Sequence, residues 1–292
     1  MAQQYKVTIR GKLLPFLFET LEGWSKKSVK QRLQGSSVFV NGQVQTKHDF
    51  MLNVGDVIEV GVVQRTGHSA KQTVTKLEII HQDKDLIAIN KPAGLLSVGT
   101  TKENKQHALA LLRSQLSRGK KTNNDSAVKL WPVHRLDRDT SGILLFATSK
   151  EVREAVMDKW PVSQKTYLAI VESTPKENKG SITQPLRHDD KEYRMHVGEH
   201  PDAKRAVTHY SVQKTTDTRS LLEVNIETGR QHQIRAHMAW LGHPIIGDER
   251  YGTKGGRMGL HAYRLKIYHP VKKNTIELEV DAPRDFSNLL SS

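Results

Sequence analysis

Pro132-Val-His-Arg-Leu-Asp-Arg-Asp-Thr-Ser-Gly-Ile-Leu-Leu-Phe-Ala147 runs charge, turn residues and an apolar segment together without a break. Ile143 to Ala147 has the length and composition of a short core strand. Ahead of it Arg135, Asp137, Arg138 and Asp139 alternate in sign, and Thr140-Ser141-Gly142 supplies the small, permissive residues of a tight loop. The spacing predicts a loop pinned to a rigid strand, with carboxylates and guanidiniums at its tip. An arbitrary charged loop of this kind is most often a solvated turn whose charges neutralise one another. The order of the residues argues for more.

His134-Arg-Leu-Asp-Arg-Asp-Thr-Ser-Gly142 resembles the signature of the RluA-type pseudouridine synthases, enzymes that isomerise uridine in structured RNA. Asn90-Lys-Pro-Ala-Gly94, following an apolar strand, is similar to another motif of that family, although such a turn serves equally well as structural punctuation. The resemblance covers most of residues 77 to 284. It implies an α+β protein with a mixed, mainly antiparallel sheet and a central active-site cleft. It puts the catalytic carboxylate at Asp137, as nucleophile or as the base that forms a glycal. It puts the tyrosine that stacks on the target base, and assists proton removal from the product carbon, at Tyr167 in Lys165-Thr-Tyr167. The guanidinium that orients the carboxylate falls on Arg230 of Thr228-Gly-Arg230. Arg135 matches the residue that enters the RNA stack where the uridine leaves, and Lys165 and Arg235 are further candidates for pocket or phosphate contacts.

Composition agrees with an RNA-directed activity. The chain of 292 residues is 36% apolar, enough for a sizeable core in one large domain or two unequal ones. Lys and Arg number 45 against 31 Asp and Glu, a formal charge of +14 that attracts polyanions, nucleic acid first. Structured RNA is the expected partner, ribosomal RNA ahead of transfer RNA on the strength of the resemblance, with no DNA expected. No apolar stretch approaches the length of a membrane span, and the first residues lack the apolar core of a secretory signal, so a cytoplasmic protein is expected. The absence of cysteine excludes thiolate nucleophiles and Cys-based zinc sites. His232 and His237 miss the i, i+4 spacing that brings two imidazoles together on a helix, and no metal site is expected. Isomerisation involves no redox or phosphoryl-transfer step, so no cofactor is expected either.

Towards the N-terminus the pattern predicts a strand over Tyr5 to Gly11 and an apolar helix from Leu13 to Leu21 with Pro15 early in it. A second helix is expected from Ser25 to about Gly35, bearing Lys26, Lys27, Lys30 and Arg32, and Val38-Phe-Val-Asn-Gly-Gln-Val44 reads as a hairpin. With the strand Val57 to Val60, this segment resembles the small RNA-binding domain named after ribosomal protein S four. That resemblance implies that the four basic side chains face phosphates; a solvated helix face is the plainer reading. Domains are expected at 1–63 and 77–292, with a polar linker over 64–76. Further on, helices are predicted over 105–118 and 150–160 and strands over 165–171, 206–212, 220–226, 260–267 and 276–280. A helix opens near Arg230, its first-turn N–H groups suited to an anion. Residues 177–204 have no clear period.

Two rival functions fit parts of this pattern. A noncatalytic RNA-binding assembly factor explains the charge but not an acidic group facing phosphates. A glycosidase using Asp137 with Asp139 needs a separation that residues so close in sequence do not readily reach.

Overall fold

The computed structural model describes residues 3–21, 23–34, 37–60, 76–101, 103, 106–118, 128–253 and 255–291. The expected linker, Lys76 apart, and the polar loop 119–125 lie outside them. The chain divides into two compact units, Met1–Gln72 and Thr73–Ser292. Among the described residues no helix is long and apolar enough to cross a membrane.

The first unit contains β1 (Gln3–Lys6), β2 (Gly11–Lys12), α1 (Leu13–Thr20), α2 (Lys26–Gln34), β3 (Val38–Val40), β4 (Gln43–Val44), β5 (Met51–Leu52) and β6 (Val57–Val60). One sheet has the order β1-β6-β3-β4, and β2 pairs with β5 separately. The strand predicted over 5–11 is therefore two short strands, broken where the Val7 carbonyl turns to accept the Gly55 N–H at 2.9 Å. Pro15 sits in the first turn of α1, where its missing N–H has no helical partner to lose. Ser25 stands just outside α2 as its cap, its Oγ accepting the Ser28 N–H at 3.1 Å. Asn41 and Gly42 take φ of 52° and 78°, the left-handed pair that a two-residue hairpin requires. Leu13, Leu17, Val29, Leu33, Val38 and Ile58 share the core, which leaves Lys26, Lys27 and Lys30 exposed on α2.

The second unit runs β7 (Glu78–Gln82), β8 (Leu86–Lys91), α3 (Ala108–Ser117), β9 (Trp131–Pro132), β10 (Ser141–Ala147), α4 (Lys150–Asp158), β11 (Gln164–Glu172), β12 (Lys179–Ile182), β13 (Leu186–Asp189) and β14 (Arg194–Val197). It continues with β15 (Thr208–Thr215), β16 (Arg219–Ile226), α5 (Gln233–Trp240), β17 (Leu260–His269), β18 (Asn274–Glu279) and α6 (Arg284–Ser291). Its large sheet has the order β12-β15-β16-β11-β17-β10-β8-β7, with β18 beside β17 and β9 beside β10. Every ladder in it is antiparallel except β10 with β17. This is an α+β protein with a mixed, mostly antiparallel sheet.

Strand β10 explains its own composition. Leu144 and Phe146 enter a core with Ile89, Leu112 and Leu130, while Ile143, Leu145 and Ala147 enter another with Leu86, Val156 and Leu265. A strand buried on both faces needs an unbroken apolar run rather than alternation. The segment without a predicted period contains β12 and the β13–β14 hairpin. Leu186 and Met195 of that hairpin are buried in a core that they share with Ala236 of α5, with Val197 packed at its edge, and the other residues of its two strands are charged or histidine. Helix α6 lies beyond the elements that the sequence pattern predicts; Phe286 and Leu290 anchor it against Ile170.

Gly142 joins the charged loop to β10 at the parallel contact, opposite Ala262. Its φ is +109°, and a Cβ there would lie 2.2 Å from the Ala262 carbonyl oxygen. Gly142→Ala therefore combines backbone strain with a backbone clash. It is expected to destabilise the second unit by at least about 3 kcal/mol in denaturant unfolding; a loss below about 1 kcal/mol would mean that the β10–β17 contact gives way easily.

Candidate active site

The loop between β9 and β10 is clamped on both sides of Asp137. Ser97 Oγ accepts the Leu136 N–H at 2.9 Å and donates to the Leu136 carbonyl at 2.8 Å. Lys91 is fully buried, and its Nζ donates to the carbonyls of Arg138 at 2.9 Å, Leu95 at 2.8 Å and Pro92 at 3.0 Å. Burial pushes this ammonium down to about 7, against the pull of Asp139 and Asp137. The Asn-Lys-Pro-Ala-Gly turn is thus a bracket for the acidic loop, and its lysine is spent on backbone carbonyls.

Helix α5 supplies the group that meets Asp137. Arg235 donates from Nη1 to Asp137 Oδ2 at 2.9 Å, and from Nε and Nη2 to Asp248 at 2.7 and 2.8 Å. Asp248 is 1% exposed, and its Oδ1 also accepts the N–H groups of Arg250 and Tyr251. Burial alone would raise the Asp248 pKa, but the hydrogen bonds and charge of Arg235 outweigh it and hold the carboxyl below its ordinary value. Burial likewise works against the Arg235 charge, and Asp248 followed by Asp137 keeps that guanidinium more firmly protonated than usual.

Two aromatic side chains complete the surroundings. Tyr167, on β11, packs against cores on either side, and burial followed by the negative charge of Asp137 raises its hydroxyl pKa. It keeps its proton at neutral pH, which suits an apolar ring with a donor tip better than a base. His232 Nε2 lies 3.8 Å from Asp137 Oδ2, and burial brings this imidazole down to about 4 although Asp137 opposes the shift.

The structure separates residues that the motifs join. Arg230 is exposed and donates from Nε to the Arg205 carbonyl at 3.0 Å, so the guanidinium on Asp137 belongs to Arg235. The cause is the start of α5. The helix begins at Gln233 and not near Arg230, because the buried Gln233 amide organises the preceding turn. Its Oε1 accepts from Arg230 N and Thr228 Oγ1, and its Nε2 donates to the Val207 carbonyl and Thr208 Oγ1. The Arg230 N–H is therefore committed to Gln233 and does not await an anion. Lys165 is buried, with Nζ 5.5 Å from the Trp160 ring centroid, and burial lowers its pKa. Arg135 is exposed. On α2 the Arg32 guanidinium stacks 4.1 Å from the Trp24 ring centroid. Asp248, Tyr251 and His232 carry no role in the sequence motifs; Gly247-Asp-Glu-Arg-Tyr-Gly252 reads only as a turn.

Among the described residues, Asp83, Asp85 and His269 are the group with ligand atoms close enough for a metal ion. Asp83 Oδ2 already accepts from Lys272 Nζ at 2.7 Å and lies 3.0 and 3.1 Å from His81 and His269. That oxygen is saturated with donors, and the cluster ties the β7–β8 turn to the β17–β18 turn.

Comparison with known proteins matches residues 85–240 to the RNA pseudouridylate synthase family model. The chain is 33% identical to an uncharacterized RNA pseudouridine synthase of Bacillus subtilis, YhcT, over 85% of this chain and 84% of that one. It is 31% identical to ribosomal large subunit pseudouridine synthase D of Xylella fastidiosa, over 94% and 87%. Among solved structures, human RNA pseudouridylate synthase domain containing 4 superimposes with a TM-score of 0.60 at 27% identity, over 73% of this chain and 92% of that one.

Asp248→Asn would leave Arg235 short of one buried carboxylate and is expected to cost about 3–5 kcal/mol of stability at neutral pH. The depressed pKa of Asp248 sets the sign of the pH dependence. Its stabilisation is complete above the unfolded-state value and is lost as pH falls through the folded one, so the gap between wild type and variant should hold down to about pH 5 and close below about pH 4. Urea unfolding across that range checks this; a gap that stays constant into acid would remove the ion pair as its source.

Proposed function

The chain belongs to the RNA pseudouridylate synthase family, and on that premise we propose that it isomerises uridine in ribosomal RNA, with Asp137 as the carboxylate that acts on the ribose. The observation that carries this reading is the setting of Asp137: a carboxylate on a clamped loop, ion-paired to Arg235 at 2.9 Å, beside the protonated phenol of Tyr167. An oriented carboxylate next to an aromatic ring is what the reaction asks of a protein.

In that reaction the N1–C1′ bond breaks and its electron pair stays on the uracil. The base turns, and C5 bonds to C1′; C5 gives up a proton and N1 takes one up, so no atom is gained or lost. Asp137 serves by attacking C1′ or by taking the proton from C2′. Arg235 fixes the carboxylate and balances its charge. Tyr167 holds the loosened base by packing, its hydroxyl acting as a donor. Arg135, exposed at the edge of the loop, is assigned to the RNA stack vacated by the uridine. Arg230, also exposed, is left with a phosphate-facing role at most.

Two observations support ribosomal RNA ahead of transfer RNA. One is the 31% identity, over nearly the whole chain, to an enzyme named for the large ribosomal subunit. The other is the first unit, which we assign as an RNA-binding domain of the ribosomal-protein-S-four type. Its two helices, Asn-Gly hairpin and exposed Lys26, Lys27 and Lys30 suit phosphate contact that is independent of sequence.

The test is carbodiimide mapping of pseudouridine in RNA from a deletion strain complemented with wild type or Asp137→Asn. One uridine in large-subunit ribosomal RNA should lose its modification and regain it with wild type alone. The purified variant should be slower by at least about a thousandfold while binding the RNA as wild type does. A variant that restores the modification, or a change confined to transfer RNA, defeats the assignment of Asp137 or of the substrate respectively. Separately, replacing Lys26, Lys27 and Lys30 together by Gln should weaken RNA binding and flatten the salt dependence of log Kd by about 1 for each phosphate that the variant no longer neutralises; an unchanged slope would count the helix as a solvated face.

A further inference from the structure

The bonds around Asp137 are unevenly shared between its two oxygens. Arg235 Nη1 and His232 Nε2 both face Oδ2, at 2.9 and 3.8 Å, and among the described residues no hydrogen bond or ion pair is made to Oδ1. We propose that His232 is a positioning residue for Asp137: its Nε2–H is a second donor to Oδ2, held in that tautomer by Tyr251, and Oδ1 is thereby the oxygen left to act on the ribose. The inference rests on Asp137 being the catalytic carboxylate.

The tautomer follows from counting protons. Tyr251 Oη accepts the Met195 N–H at 2.7 Å and lies 3.1 Å from His232 Nδ1. Among the described residues His232 Nδ1 is the one acceptor within hydrogen-bond distance of the phenol, so the phenol proton is directed to it. A neutral imidazole that accepts at Nδ1 carries its proton on Nε2, the nitrogen facing Asp137. The charged and titratable groups around the ring are Asp137, Arg235, Arg250, Asp248 and Tyr251, and burial keeps the ring neutral among them. The backbone supports the same placement. His232 has φ of 50° and ψ of 20°, left-handed for a residue other than glycine, held by Gln233 on one side and by the Ala236 N–H to its own carbonyl at 2.9 Å. Such an outlier persists where neighbours over-determine it, and it concentrates at working sites. At 3.8 Å the Nε2–Oδ2 contact is longer than a hydrogen bond; donors in unliganded sites commonly shorten onto their acceptors once substrate is bound.

Steady-state kinetics on large-subunit ribosomal RNA from the deletion strain would compare the full chain with Asp137→Asn, His232→Gln and His232→Leu, alongside histidine-labelled nitrogen NMR of the wild type. The Gln amide can reach Oδ2 as a donor and Leu cannot. We expect His232→Leu to lower kcat about 10- to 100-fold with KM little changed, His232→Gln to recover most of that loss, and the NMR to find Nδ1 unprotonated and Nε2 protonated. Equal loss in both His232 variants, no loss in either, a change confined to KM, or a protonated Nδ1 overturns the inference. If the wild type is inactive on this RNA the substrate reading fails, and if Asp137→Asn is active the reading of Asp137 fails. The NMR needs neither substrate nor variant, so it decides the tautomer even if a variant does not fold.

Discussion

Arg235 is buried between two carboxylates, and the geometry of the site depends on how that charge is satisfied. Removing a guanidinium from water costs several kcal/mol unless its donors are met. Here Nε and Nη2 are taken by Asp248 and Nη1 by Asp137. Asp248 is itself held by the N–H groups of its own turn, so the rigid end of the chain of contacts lies there. Orientation passes from the Asp248 turn through the planar fork of Arg235 to Asp137. A lysine could carry the charge but not the two directions.

The acidic loop is fixed from the other side by backbone bonds. Lys91, the last residue of β8, and Ser97, in the segment leaving it, hold Arg138 and Leu136 on either side of Asp137, and Gly142 lets the loop enter β10 against the backbone of Ala262. Three carbonyls converging on one buried ammonium make a strong local restraint. They also commit the lysine to structure, despite its position in a motif that reads equally as a substrate contact. Tyr167 and His232, which both feel the charge of Asp137, are uncharged at neutral pH, and burial shifts each further toward its neutral form. The charge of the carboxylate is therefore balanced by arginine, while the neighbouring rings supply shape and hydrogen-bond donors.

Much of this is legible along the chain because it is local. The run Ile143 to Ala147 reads as a strand covered on both faces. The Asn41-Gly42 pair specifies its hairpin through φ, and Ser25 and Ser149 cap helices within three residues of themselves. Asp137 and Tyr167 stand in motifs, and they do lie close enough for the carboxylate charge to act on the phenol. Element ends are less legible. Gln233 delays α5 through bonds to Val207 and Thr208, and Val7 breaks a predicted strand by pairing with Gly55; both involve residues far away in the sequence.

The sequence by itself determined the acidic loop on its buried strand, which depends on residues within a few positions of one another, and through the family resemblance carried by that stretch it pointed to the class of fold and to the candidate carboxylate. Tertiary structure alone decided which arginine meets that carboxylate. Arg230 and Arg235 are five residues apart on one short segment. The motif points to Arg230, with Arg235 only a further candidate for pocket or phosphate contacts, and the first residue of α5 and the packing of its buried face turn Arg235 inward and leave Arg230 at the surface. The same holds for Asp248 and Tyr251, which read as turn residues until folding brings them beside Arg235 and His232. Paired charges in a low-dielectric site are selected by three-dimensional distance, and no period or spacing in the chain encodes a distance between elements that the sheet has first to assemble.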